Sequence, residues 1–176
     1  VGGALAGLRV VSVAVGTYQT AVVTDNGWLF TFGEGGFSRL GHGTQAGELV
    51  PRRVLGALTG RRVVQVSASI YHTVAVTADG ELYTFGCGES GRLGHGSDVD
   101  ELAPRRVEGP LTGERVVAAV AGETHTVVLT ASGAVFTFGY GGYGQLGHGN
   151  QQTQLSPMRV EALVNHRVTR IAAGAF

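Results

Sequence analysis

Three histidines recur at a fixed spacing and are the first candidates for chemistry in this sequence. His42, His95 and His148 each stand in the tetrapeptide Leu-Gly-His-Gly, 53 residues apart. Imidazole nitrogens bind zinc, but all the ligands of a zinc site must lie within about 2 Å of one ion. If each histidine belongs to its own copy of a repeating unit, the three rings lie far apart. We therefore expect a structural role, such as a bond to loop backbone, and predict no metal and no cofactor.

Glycine-rich segments are the second candidate, because loops that bind phosphate are rich in glycine. GEGG at 33–36 and GYGGYG at 139–144 have this composition. Both occupy the same place in the repeat as GCGESG at 86–91, and none leads into a predicted helix. A nucleophile elbow, a P-loop and an HExxH motif are also missing from the sequence. An intrinsic enzyme active site is therefore not expected.

The elements that position these residues come from an internal repeat with a period of 53 residues. Besides Leu-Gly-His-Gly, the tripeptide Thr-Phe-Gly at 31, 84 and 137 and a proline at 51, 104 and 157 keep this period. We divide the single domain 1–176 into units at about 8–60, 61–113 and 114–166. A fourth unit starts at Arg167 and is predicted to end after its first strand.

The sequence pattern of each unit predicts four short β-strands. In the second unit the β-branched run 63–67 is followed by strands at 72–77 and 81–85, and a fourth, edge-like strand is predicted to start at Pro104. A tight hairpin joins the second and third strands, and each copy has glycine there, at Gly27, Gly80 and Gly133, where a positive φ is needed. Four strands per repeat predict an all-β fold of antiparallel propeller blades.

The order of these motifs resembles the repeat of the regulator of chromosome condensation family. In the third unit the motifs are Gly122-Glu123-Thr124-His125-Thr126, Gly133, Thr137-Phe138-Gly139, Gly141 to Gly149 and Pro157 to Val160. The resemblance covers essentially the whole chain. It implies a seven-bladed β-propeller with roughly one repeat per blade, of which this chain would supply about three blades.

A partial ring of blades leaves two blade faces uncovered, and uncovered strands invite association. We expect either further chain or a partner to cover these faces. A second copy of the same chain could do so by self-association.

The motif Gly-x-x-His-Thr combines two kinds of position. His72 and His125, with Gln19 in the first unit, precede a threonine in every copy, and we predict buried hydrogen-bonding pairs that tie neighbouring strands. The two residues before them differ between copies, although the surrounding residues repeat. These variable pairs are Thr17-Tyr18, Ile70-Tyr71, Glu123-Thr124 and Ala175-Phe176. Because scaffold residues repeat and recognition residues need not, we predict that the variable pairs lie in loops that bind a partner.

A second variable segment follows Leu-Gly-His-Gly and is predicted to be a loop. In the second unit it carries a small acidic cluster, Asp98, Asp100 and Glu101. A solvated loop explains these charges, and the alternative is a rim that faces a partner and responds to ionic strength.

The family resemblance gives these loops two possible activities. Members that exchange nucleotide on a small GTPase use acidic and imidazole groups in the loop of the Gly-x-x-His-Thr motif. In this chain Glu123 is the one acidic residue among the variable pairs of that loop. A light-sensing branch places tryptophan there, whereas this chain has Thr17, Ile70, Glu123 and Ala175. The only tryptophan is Trp28, after the hairpin, so photoreception is not expected.

Composition further narrows the classes of partner that are expected. The chain has 13 basic and 13 acidic residues, and every basic residue is arginine. Since nucleic-acid binders carry a basic excess, nucleic acid is not expected as a partner. No apolar run is long enough for a membrane helix, and a single cysteine fits a reducing compartment, so we expect an intracellular protein.

Three functions remain open from the sequence. The first is a protein-interaction propeller, an adaptor or regulatory scaffold that presents loops on one face. The second is guanine-nucleotide exchange on a small GTPase, and the third is a structural component of a larger assembly. One scaffold can serve all three.

Overall fold

The computed structural model describes residues 3–175 and contains three four-stranded antiparallel sheets. In each sheet the strands follow chain order, so that every blade is a meander. The first blade consists of β1 (Val10–Val15), β2 (Gln19–Thr24), β3 (Leu29–Gly33) and β4 (Glu48–Arg53). The second consists of β5 (Val63–Ala68), β6 (His72–Thr77), β7 (Leu82–Gly86) and β8 (Glu101–Arg106). The third consists of β9 (Val116–Ala121), β10 (His125–Thr130), β11 (Val135–Gly139) and β12 (Gln154–Arg159). The predicted all-β propeller blades are thus confirmed.

Short 3₁₀ turns are the only helical elements in the described part of the chain, at Gly36–Ser38, Gly56–Leu58, Glu89–Gly91, Gly109–Leu111 and Glu161–Leu163. Within residues 3–175, no helix has the length and apolar character needed to cross a membrane.

The hairpin glycines serve both the turn and the contact with the next blade. Gly80 has φ +85°, which L side chains rarely adopt, and its amide donates to the Thr77 carbonyl at 2.9 Å. A Cβ at this position would lie 2.6 Å from the side chain of Arg115, at the start of the next blade. Gly27 and Gly133 have the same φ within a few degrees.

The outermost strand begins earlier than the sequence indicated. It starts at Glu48, Glu101 and Gln154, so that each proline lies inside the strand rather than at its first residue. This is tolerated because β4, β8 and β12 are edge strands, where a residue without an amide hydrogen removes no ladder bond on the open side. The loop after Leu-Gly-His-Gly therefore ends three residues earlier than the sequence predicted.

The start of the fourth unit contains no strand among its described residues, 167–175, contrary to the prediction. The first strand of each blade pairs with the strand that follows it, and no strand follows this segment among the described residues. It nevertheless packs on the third blade, where Val168 and Ile171 lie against Leu129, Val135 and Val160.

The hydrophobic core lies between blades rather than within them. One buried cluster combines residues from the first and second blades: Ala21, Val23, Leu29, Val54, Leu58, Val63, Val66, Ala75, Tyr83 and Phe85. The next cluster repeats this arrangement between the second and third blades, around Val128, Phe136 and Phe138. Each sheet therefore buries its apolar side chains only when a neighbouring blade covers it.

The Leu-Gly-His-Gly loop of one blade fits against an aromatic ring of the next. A Cβ at Gly41 would lie 2.6 Å from the ring of Phe85, and one at Gly94 would lie 2.7 Å from Phe138. At the third copy, Gly147, the nearest atom would be a methyl of Val160 at 3.3 Å.

One blade face lacks a neighbour in this structure. Val13 in β1 is 60% exposed, whereas the matching Val66 in β5 is 5% exposed because the first blade covers it. Leu49 at the outer edge is also fully exposed. An apolar face of this kind is where a further blade or a second copy would pack.

Alanine substitutions at the two matched glycines separate packing from backbone strain. Gly41 and Gly147 have φ +75° and +74°, so both substitutions incur the same backbone penalty. Only Gly41→Ala drives a methyl group into a ring, so it should lower the free energy of unfolding by about 1–3 kcal/mol more than Gly147→Ala. Urea unfolding followed by circular dichroism measures this difference. Equal losses in the two variants would contradict the packing of blade against blade at this glycine.

Candidate functional site

The candidate site is the end of the blades at which the variable residues gather, here called the loop face. It consists of the loops between first and second strands (16–18, 69–71 and 122–124) and those between third and fourth strands (34–47, 87–100 and 140–153). The two sets are joined within each blade, since the amides of Glu34, Cys87 and Tyr140 donate to the carbonyls of Tyr18, Tyr71 and Thr124 at 2.8–3.0 Å.

The structure separates the two members of each variable pair. The first members, Thr17, Ile70 and Glu123, line one cavity of about 480 Å³ together with Ala175. The second members, Tyr18, Tyr71 and Thr124, are joined by their carbonyls to the longer loops. Phe176, the second member of the last pair, lies outside the described residues. The variable pairs therefore form two zones rather than one.

A row of three aromatic rings, two of them exposed and one half-buried, crosses the boundary between the first and second blades. This aromatic row consists of Tyr18, Phe37 and Tyr71. Phe37 and Tyr71 meet edge to face with their ring centroids 5.4 Å apart. Tyr18 is 57% and Phe37 45% exposed. Exposed rings packed in this way supply a large contact area at low entropic cost, which is typical of protein-binding surfaces.

Two buried arginines support the aromatic row. The guanidinium of Arg39 lies 5.7 Å from the ring centroid of Tyr18 and 5.5 Å from that of Phe37, and Arg92 lies 4.9 Å from that of Tyr71. Each arginine forms an ion pair with a glutamate of its own loop, to Glu34 at 2.9 Å and to Glu89 at 3.1 Å. The two positive charges are therefore neutralised within the protein.

Phe37, Arg39 and Arg92 were not recognised as candidates from the sequence. The arginines stand directly before Leu-Gly-His-Gly, and the third unit has Gln145 there. This copy-to-copy difference is the same signal that marked the variable pairs. Arg92 also reaches the third blade, where its Nη1 donates to the carbonyl of Glu123 at 3.3 Å.

Phe37 adopts a backbone conformation that is uncommon for a bulky residue. Its φ and ψ are 56° and 18°, in the left-handed region. The next residue, Ser38, also has a positive φ of 60°, and the matching position in the second blade is Gly91. Ser90, which matches Phe37 in the second blade, has a similar positive φ of 60°, so the conformation belongs to the repeated loop.

Buried hydrogen bonds hold the loop face together across the blade boundaries. Thr126 donates its hydroxyl hydrogen to the Arg92 carbonyl at 2.7 Å and lies 2.8 Å from Nε2 of His72 in the preceding blade. In the same way Thr73 lies 2.8 Å from the Arg39 carbonyl and 3.1 Å from Oε1 of Gln19. The predicted pairs are thus between blades, whereas the sequence placed them between strands.

These bonds place a hydrogen on one nitrogen of His72. Since Thr126 already donates to Arg92, Nε2 of His72 donates to Thr126, and Nδ1 lies 3.0 Å from the hydroxyl of Ser69. Burial, with smaller contributions from the Arg92 and His125 charges, lowers the pKa of His72 to about 3.

The three Leu-Gly-His-Gly histidines bond to a threonine side chain rather than to loop backbone. Nε2 of His42, His95 and His148 lies 2.9–3.0 Å from the hydroxyl of Thr31, Thr84 and Thr137, the threonine of the same unit's Thr-Phe-Gly. Within residues 3–175, no three His, Cys, Asp or Glu side chains come together as metal ligands. Burial is also the main cause that lowers the pKa of His95, to about 4, and that of His42 and His125.

The acidic cluster of the second unit is divided by the structure. Asp98 is exposed in the loop, and Asp100 accepts from the Gly88 amide at 2.8 Å. Glu101 is the first residue of β8 and pairs with Arg105 at 2.6 Å. The expectation of one loop cluster is therefore wrong for Glu101, because the strand begins there and its carboxylate already has a partner.

The comparison with protein families identifies the chain. The Regulator of chromosome condensation (RCC1) repeat matches residues 26–76, 79–129 and 132–176. The chain belongs to this family. Each of the first two matched segments begins in a hairpin of one blade and ends in the second strand of the next, so each includes the boundary between two blades.

Curated relatives share the repeat over nearly the whole chain. The ultraviolet-B receptor UVR8 of Arabidopsis thaliana is 39% identical over 171 residues, which are 97% of this chain and 38% of the relative. The E3 ubiquitin-protein ligase HERC2 of Homo sapiens is 38% identical over 173 residues, 97% of this chain and 4% of the relative. The chain thus spans well under half the length of either protein.

Solved structures confirm the propeller fold. Human WBSCR16 superposes with a TM-score of 0.77 at 31% identity, over 85% of this chain and 37% of that structure. Prp20p of Saccharomyces cerevisiae gives the same TM-score at 19% identity, over 87% of this chain and 38% of that structure.

Replacing His72 with glutamine should make the fold less sensitive to acid. A neutral histidine whose pKa is lowered by folding destabilises the native state as the pH falls, because the unfolded chain takes up a proton near pH 6.5 and the native state does not until about pH 3. The loss approaches roughly 1.4 kcal/mol per pH unit for this ring. Gln19 shows that glutamine fits the matching position.

Urea unfolding of the parent chain and His72→Gln between pH 7.5 and 4.5 tests this. The parent chain should lose more stability than the variant over this range, and the two curves should run parallel above pH 7. Parallel curves over the whole range would show that His72 is not buried as a neutral ring.

Proposed function

We propose that this chain is a protein-interaction module of a propeller, which presents its loop face to a partner protein. The observation that carries the proposal is the way in which variation is distributed over the blades. Repeated landmarks such as Thr31, Thr84 and Thr137 are buried, whereas the variable pairs lie on one face, where Tyr18 and Phe37 are exposed. Surfaces that combine exposed rings with copy-to-copy variation suit recognition.

The family supports a binding role over an enzymatic one. Relatives that share the repeat bear names as different as a light receptor and a ubiquitin ligase. A scaffold shared by such proteins fits a binding role, because activity depends on sites added to a fold rather than on the fold.

Guanine-nucleotide exchange gains no specific support from the loop face. The resemblance implies acidic and imidazole groups in the loop of this motif, and only the acidic Glu123 matches, beside Thr17 and Ile70 in the other blades. No histidine is present at these positions, and His72 is fully buried in the blade boundary. A structural role in a larger assembly likewise stays a hypothesis, as does self-association through the open face of the first blade.

Site-specific photo-crosslinking tests the proposed face. The photoreactive residue p-benzoylphenylalanine replaces Tyr18 on the loop face or, as a matched control, Trp28 at the opposite end of the same blade. After irradiation in an extract of the source cells, covalent adducts are identified by mass spectrometry. We expect a defined protein adduct from position 18 and none of the same identity from position 28. Adducts from position 28 alone would contradict the loop face as the binding surface.

A further inference from the structure

Charge is distributed unevenly over the two ends of the blades, although the chain has a net charge of zero. The loops of the loop face contain five acidic residues, namely Glu34, Glu89, Asp98, Asp100 and Glu123, and only two basic ones, Arg39 and Arg92. All the other arginines lie on the outer strands, on the connections at the opposite end, or on the segments that precede β1 and follow β12. The loop face is therefore a local excess of negative charge on a neutral protein.

The two arginines of the loop face do not offer their charge to solvent. Arg39 and Arg92 are 3% and 2% exposed. Their glutamate partners are on the outside: the side chains of Glu34 and Glu89 are 56% and 77% exposed. A carboxylate carries about four lone-pair sites, so each glutamate can accept further hydrogen bonds from a partner.

The rings of the aromatic row lie beside these carboxylates. Phe37 is in the same loop as Glu34, and Tyr71 lies over Arg92, which holds Glu89. The rings and carboxylates of this surface already contact guanidinium groups within the protein. Arg39 and Arg92 lie within 6 Å of the three ring centroids and pair with the carboxylates. An arginine or lysine from outside would find the same chemistry, a π face and a carboxylate, on the exposed side.

We infer that the loop face binds a cationic segment of a partner protein, a stretch that carries arginine or lysine side chains across the aromatic row. This inference rests on the proposed function and specifies the chemistry of the partner. Arginine should bind more tightly than lysine, since its planar guanidinium both stacks on a ring and pairs with a carboxylate. Binding should weaken as the salt concentration rises.

Peptide binding to the 176-residue chain tests the inference. The probes are three fluorescein-labelled nine-residue peptides in which glycine alternates with arginine, lysine or glutamate, and fluorescence anisotropy is followed from 25 to 300 mM NaCl. The arginine peptide should bind most tightly, the lysine peptide several-fold more weakly, and the glutamate peptide not at all. Equal or tighter binding of the glutamate peptide, or no binding of the arginine peptide, overturns the inference.

Matched variants locate the binding. Tyr18→Ser and Glu89→Gln should each weaken the arginine peptide by about three- to tenfold, the range of a ring or charge contact at a partly exposed site. Trp28→Ser and Asp25→Asn remove a ring and a carboxylate at the opposite end and should change the affinity by less than twofold. Circular dichroism checks that all four variants fold. Equal losses in the two pairs would show that binding is not at the loop face, which overturns the inference.

The outcomes separate this inference from the proposed function. A crosslinked protein at position 18 together with no arginine-peptide binding leaves the proposed function standing and refutes the cationic segment. No crosslink and no peptide binding refutes both. A dimer of the chain alone in sedimentation velocity, abolished by Glu89→Gln, would make a second copy the occupant and also overturn the inference.

Discussion

In the second and third blades, the hydroxyl group of one threonine lies at the boundary with the preceding blade, within hydrogen-bond distance of two groups of that blade. Thr73 and Thr126 are both fully buried, and each lies against a side chain and a loop carbonyl of the preceding blade. A buried hydroxyl without partners costs about 1–3 kcal/mol, so the blades can bury this row only when they sit in register. The Phe85 ring packs closely against Gly41 of the preceding blade, and this steric fit imposes the same register on the two blades.

This boundary also fixes the candidate binding surface. The carbonyls that accept from Thr73 and Thr126 belong to Arg39 and Arg92, whose side chains lie under the aromatic row. The loop that carries Phe37 is therefore anchored in two ways. The backbone carbonyl of Arg39 accepts from Thr73 of the next blade, and the Arg39 side chain lies against the rings. A surface held in this way is ordered before a partner arrives, which reduces the entropic cost of binding.

The repeat in the sequence predicts the blades well, because its landmarks are backbone requirements. Gly80 can be recognised as a turn residue from spacing alone, since few other residues tolerate its φ. The partner of His72 could not be predicted in this way, because a 53-residue period does not say whether a side chain points within its blade or across the boundary. Arg39 was overlooked for a related reason: a buried arginine is recognisable only when its glutamate and rings are seen around it. The early start of β8 could not be predicted from the sequence either. There Glu101 follows Asp98 and Asp100 and looks like part of an acidic loop, and only the structure shows its ion pair with Arg105.

Buried side-chain hydrogen bonds between the blades hold the blades of this segment in register. The most direct test compares Thr73→Val with Thr20→Val, the same substitution at the matching position of the first blade. Thr20 forms no side-chain hydrogen bond within the described residues, because no preceding blade lies against it there. Chemical denaturation should show that Thr73→Val lowers the free energy of unfolding by about 1–3 kcal/mol and Thr20→Val by less than about 0.5 kcal/mol. Equal effects of the two substitutions would contradict the account.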